Sequence, residues 1–187
     1  MKTLGFLLAS LAGASLFLAA VVAEEPVKSG PQVGQDVPGP FHPLNVTGAQ
    51  AGKKNCLYCQ NGAAPVAVVF ARRLTPSVTK LIKKIDAATA ENKKAGMGSF
   101  VVFLSNDEDL TKNLQALASK EKINNTILSI DNPAGPEQYR IAKDADVTVL
   151  LYKEFTVRSN CAFRAGELNE KGISRILSDM PKIASAN

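Results

Sequence analysis

From Pro65 onward the chain alternates short runs of β-forming residues with segments of helical periodicity, and this alternation restricts the fold more than any other feature. Val66-Ala67-Val68-Val69-Phe70 is an unbroken apolar run, as expected of a strand buried on both faces. Thr75-Pro76 then reads as an N-cap followed by a first helical residue, since proline lacks an N–H that would be unpaired there anyway. Val78, Leu81, Ile82, Ile85 and Ala88 recur at helical spacing with lysines opposite, and Gly96 and Gly98 mark the end of that helix. The pattern repeats. Phe100-Val101-Val102-Phe103-Leu104 predicts a second strand, and Asp107 can cap a helix whose inner face is Leu110, Leu114, Leu117 and Ala118. Thr126–Ile130 predicts a third strand, residues 136–142 a short helix, and Val147–Tyr152 a fourth strand. Phe155, Val157, Ser159, Cys161 and Phe163 alternate with more polar residues, which predicts an antiparallel hairpin partner with these five on one face. Ile173, Ile176, Leu177 and Met180 define a last helix. The order β-α-β-α-β-α-β-β-α requires an α/β fold: a central mixed sheet flanked by helices on both faces.

The first residues carry a different signal. Lys2 precedes an apolar stretch from Leu4 to Val22 that ends in Val21-Val22-Ala23, the form of a cleavable secretory signal over residues 1–23. Gly5, Ser10, Gly13 and Ser15 dilute the stretch, and Glu24-Glu25 follows at once, which argues against a retained membrane anchor. Cleavage leaves about 164 residues, enough for one domain with its own core. Residues 24–40 are rich in Pro and Gly and predict an extended, partly mobile lead, with the domain proper over 41–187. Within it, residues 41–46 suggest a short strand that Pro43 confines to a sheet edge.

The predicted destination is therefore exported, periplasmic or secreted, with no stable membrane insertion once the signal is removed. A net charge of +5, spread along amphipathic segments, reads as a solvated basic surface. With no Trp and few aromatic residues, the chain is poorly equipped to stack bases, and no nucleic-acid partner is expected.

Three cysteines remain: Cys56, Cys59 and Cys161. An oxidising compartment favours disulfides, and a separation of three makes Cys56 and Cys59 the natural pair. Cys161 is then left free, and its apolar neighbours predict burial.

The strand order, the closing hairpin through Arg164-Ala165-Gly166 and the C-terminal helix resemble the thioredoxin-like superfamily. The lead Val33-Gly34-Gln35-Asp36-Val37-Pro38-Gly39-Pro40-Phe41 is similar to the opening of its redoxin and peroxiredoxin branch. The resemblance implies thiol–disulfide chemistry, but two positions depart from it. Where the family carries its CxxC, after the first core strand, this chain has Ala71-Arg72-Arg73-Leu74-Thr75-Pro76-Ser77, without cysteine. Where the family has a cis-proline, this chain has Val147, and a non-proline peptide there should be trans.

The CxxC instead precedes the core strand, as Cys56-Leu57-Tyr58-Cys59. Gln60-Asn61-Gly62 signals a turn, a single helical turn beginning at Cys56 is also compatible, and Lys53 and Lys54 could add positive potential. Three readings of the pair follow: redox exchange with protein thiols or disulfides through Cys56 and Cys59, a structural staple, or a site for Cu(I) or half a zinc site. A full zinc site would need Cys161 and His42, the sole histidine, which reads more simply as a surface residue. No cofactor and no resident metal are expected. Thr75, Ser77 and Arg72 could hold a small anion at the helix start, or simply cap it. The motif Asn45-Val46-Thr47 and that beginning at Asn124 are glycosylation sequons in a eukaryotic source.

Overall fold

The computed structural model describes residues 25–184, so the signal-peptide stretch lies outside the described residues. Six strands form one mixed sheet in the order β1-β4-β3-β2-β5-β6. They are β1 (Leu44–Asn45), β2 (Val66–Ala71), β3 (Gly98–Leu104), β4 (Thr126–Asp131), β5 (Val147–Lys153) and β6 (Thr156–Phe163). Strands β2, β3 and β4 are parallel, while β5, β6 and the edge strand β1 run antiparallel to their neighbours. β2 lies inside the sheet and all six of its residues are buried, which is why its sequence is apolar without alternation.

Helices α2 (Pro76–Glu91) and α3 (Leu110–Glu121) link the parallel strands, and α4 (Glu170–Ser178) and α5 (Pro181–Ala184) close the chain. All four pack on one face, over Ala67, Val69, Val101 and Leu151. Successive right-handed crossovers that step along the sheet in one direction put their helices on the same side. Val66, Val68, Phe70, Phe100 and Tyr152 face the other way, against Leu57 of α1 (Leu57–Asn61), Tyr139 and Ile141 of the β4–β5 connection, and Val37 and Phe41 of the lead. Helix therefore lies on both faces, unequally.

The expected caps are mostly in place. The Thr75 hydroxyl accepts from Val78 N, with Pro76 at the first helical position. Asp107 does not cap α3 itself; its carboxylate accepts from Asp109 N, a local turn that leads directly into the helix. The α2–β4 junction is held by Asp86, whose carboxylate accepts from both the backbone and side-chain N–H of Asn125 and from Thr126 N.

Two features differ from the sequence expectation. β5 and β6 slip register so that Leu151 faces Ser159 but Tyr152 faces Val157, leaving Arg158 as an extra residue. The bulge turns Val157 into the Phe70–Tyr152 side, whereas Cys161 faces the helical side, so the two do not share a face. Phe155 lies in the β5–β6 turn rather than in the strand.

The lead is extended, as its composition indicates, and it is docked from Ser29 onward. Gly34 N donates to Val157 O, Val157 N to Gln35 O, and Val37 N to Phe155 O, so this stretch continues the ladder along the outer edge of β6. Asn160 Nδ2 donates to the carbonyls of Ser29 and Pro31, and the hydroxyls of Ser29 and Thr148 are hydrogen-bonded at 2.6 Å. Tyr139 OH donates to Gly39 O. Burial holds the Tyr139 and Tyr152 phenols well above the usual tyrosine range.

Candidate functional site

The CxxC lies where β2 and β3 begin and β5 ends, because Val66 pairs with Gly98 on one side and Tyr152 on the other. Cys56 and Cys59 are joined as a disulfide with their Cα atoms 5.2 Å apart. Of the two expected local structures, the single helical turn is the one present. Cys56 is the N-cap of α1, and its Sγ accepts from Cys59 N at 3.0 Å. Leu57 is fully buried and anchors the turn in the core, and Asn61 Nδ2 donates to Leu57 O. A Cβ on Gly98 would overlap the Asn61 side chain, which explains a glycine at the start of β3. Cys56 is buried at 9% exposure whereas Cys59 is exposed, so the two residues of one disulfide are unequally open to solvent.

The two-residue connection between β5 and β6 stands beside α1. Glu154 N donates to Ala63 O, immediately after the helix, and the Phe155 ring lies against Tyr58 with centroids 5.4 Å apart. Both turn residues have positive φ, 54° at Glu154 and 63° at Phe155. Such turns favour Asn and Gly, and an L residue in that region costs about 1–2 kcal/mol. Neither Tyr58 nor Phe155 stood out in the sequence. The available signal was a hairpin turn written Glu-Phe where glycine is the usual choice.

At the opposite end of β2 lies the cysteine-free stretch that begins at Ala71. There Ala71 pairs with Val147, and Arg73, Thr75, Ser77, Asp146, Val147 and Gly166 border a shallow cleft of about 450 Å³. The Arg72 guanidinium is occupied by the carbonyls of Ala145, Pro133 and Ala142, so it braces the loop before β5 instead of facing an anion. Arg73 donates to Asp146 at 2.9 Å, which raises its pKa through that hydrogen bond and the carboxylate's charge. No cis peptide occurs among the described residues, so Val147 follows a trans bond as expected.

Cys161 is free and buried, and desolvation pushes its thiol pKa up. His42 is exposed. Among the described residues no group of three or more His, Cys, Asp or Glu side chains is placed to share a metal ion. Neither Cys161 nor His42 is thus brought to the CxxC as a ligand. Asn45 is buried at 1% exposure with both amide atoms unpartnered, so its sequon is closed in the folded chain, whereas Asn124 is exposed.

No family model matches the sequence, and no curated protein matches it. Solved structures do match in fold. A candidate protein disulfide isomerase from Bacteroides thetaiotaomicron superposes with a TM-score of 0.62 at 15% identity, over 84% of this chain and 94% of that one. A secreted disulfide oxidoreductase from Mycobacterium tuberculosis gives 0.56 at 11% identity, over 75% and 93%. The peroxidoxin BcpB of the same organism gives 0.57 at 16% identity, over 84% and 99%. Among the described residues no helix is long and apolar enough to cross a membrane. With its strand order, closing hairpin and these matches, the chain has the thioredoxin-like fold and carries a disulfide-bonded CxxC away from the usual corner.

Proposed function

We propose that the chain is an exported thiol–disulfide exchange protein whose reacting pair is Cys56 and Cys59. The observation that carries this reading is their asymmetry: Cys59 is exposed while Cys56 is nearly buried and accepts the Cys59 N–H. A substrate thiolate attacks Cys59 Sγ, the Cys56–Cys59 bond breaks, and Cys56 leaves with the electron pair as a thiolate facing that N–H donor. A second thiolate of the same substrate then attacks the mixed disulfide and releases Cys59. The substrate dithiol is oxidised to a disulfide and the protein gains the two electrons.

Export is supported by the signal-like stretch at residues 1–23, and one matched structure is described as secreted. The relatives' names support thiols and disulfides of other proteins as the substrate class.

The test is trapping by the single-cysteine variants. Cys56→Ser keeps the exposed sulfur and should accumulate a mixed disulfide with a reactive disulfide probe, whereas Cys59→Ser should accumulate far less. Equal trapping by both, or none by either, defeats the reading.

A second reading, a non-catalytic module in which the pair is a structural staple, is favoured by one observation. The disulfide closes a turn whose central Leu57 is fully buried. The reduction potential separates the two: a staple should lie below about −300 mV and an exchanging couple well above it.

A further inference from the structure

Among the described residues only two large apolar side chains are exposed, Val33 and Phe155, the latter at 36%. Phe155 is unexpected on a second count, because its φ of 63° suits glycine or asparagine and not a bulky aromatic residue. A ring kept in an unfavourable backbone conformation, and not used to fill the core, invites a functional reading. Its surroundings give that reading a direction. The ring lies 5.4 Å from that of Tyr58, the residue that directly precedes the exposed Cys59. Backbone bonds from Glu154 N to Ala63 O and from Val37 N to Phe155 O fix the turn to the segment after α1 and to the lead. A shelf of two aromatic rings on separate elements thus borders the segment that carries the CxxC, Tyr58 being one of its two central residues.

We propose that Phe155, with Tyr58, is a specificity-determining residue that takes the apolar side chain next to a substrate cysteine. The substrate class is then a polypeptide thiol with an aromatic or aliphatic neighbour, in preference to a small hydrophilic thiol. This rests on the exchange reading of Cys56 and Cys59. The shelf supplies what a displaced CxxC otherwise lacks, a surface that aligns the incoming chain before sulfur meets sulfur. The same contact would hold for a substrate disulfide approaching the reduced protein, since Cys59 carries the mixed disulfide in both directions.

The test uses the oxidised protein and three reductants: dithiothreitol, a peptide with Phe beside its cysteine, and the same peptide with Ser in that place. Rates of disulfide opening are read by quenched-flow mass spectrometry. Covering a partly exposed ring predicts a preference of roughly fivefold to tenfold for the Phe peptide. Phe155→Gly suits the positive φ, so it removes the ring without straining the turn. It should abolish the preference while leaving the dithiothreitol rate within about twofold, and Phe155→Leu should retain part of the preference. The proposal is overturned if wild type shows no preference, if Phe155→Gly preserves it, or if that variant changes all three rates by one factor, the mark of a purely structural ring. If even dithiothreitol fails to open the wild-type disulfide under native conditions, the exchange reading itself has failed and this inference falls with it.

Discussion

The two ends of β2 lie roughly 17 Å apart along one strand and are built on different terms. At its C-terminal end, polar groups are used up on the chain itself. Arg72 holds three carbonyls, Thr75 caps α2, and Arg73 pairs with Asp146. At its N-terminal end stand an exposed cysteine, a partly exposed aromatic ring and two residues of positive φ. The first end is stabilised by its own polar contacts; the second carries backbone strain and a disulfide. One strand can thus have a corner knit together by its own polar contacts at one end and a disulfide at the other. Functional chemistry belongs to the site and not to the fold that presents it.

Three substitutions sharpen that contrast. Arg72→Ala should have the largest effect, about 2–4 kcal/mol in denaturant unfolding, because partly buried carbonyls lose a charged donor. The same variant should leave the rate of Cys56–Cys59 reduction by dithiothreitol unchanged, and a matching loss of that rate would erase the distinction between the ends. Thr75→Ala removes the cap of α2 and should cost about 1 kcal/mol by the same assay, again without altering reduction. Arg73→Ala should be smallest. Its guanidinium is largely solvent-exposed, so the unfolding midpoint should not move detectably, and a clear shift would show the corner ion pair to be stronger than surface pairs usually are.

Much of this arrangement is legible in the sequence, for identifiable reasons. The run Val66–Phe70 and the spacing of Val78, Leu81, Ile82 and Ile85 state their burial directly, since period and burial are the same fact. Cys161 could be read as a buried thiol from its apolar neighbours, although its facing could not. An extra residue at Arg158 reverses every later side chain, and nothing in the local composition announces it. The pairing of Cys56 with Cys59 was expected, but the unequal exposure of the two residues depends on Leu57 being drawn into the core. The neighbour of the CxxC, Phe155, is nearly a hundred residues away in the chain, and only the antiparallel return of β5 brings it there. The docking of the lead was not legible in composition: proline and glycine suggest looseness, and a segment without bulky side chains can also lie flat along a strand and exchange hydrogen bonds with it.

That docked lead also bears on how the molecule behaves in company. β6 is the last strand of its sheet, and the bonds of Gly34, Gln35 and Val37 occupy backbone groups that would otherwise face outward. An open strand edge is a template for any extended chain that drifts past, including another copy of the same protein. Residues 29–37 act as a built-in selvedge, the finished border that keeps a woven sheet from catching on the next. A version of the chain trimmed back to residue 41, where composition alone would place the start of the fold, would lose that border and become prone to self-association.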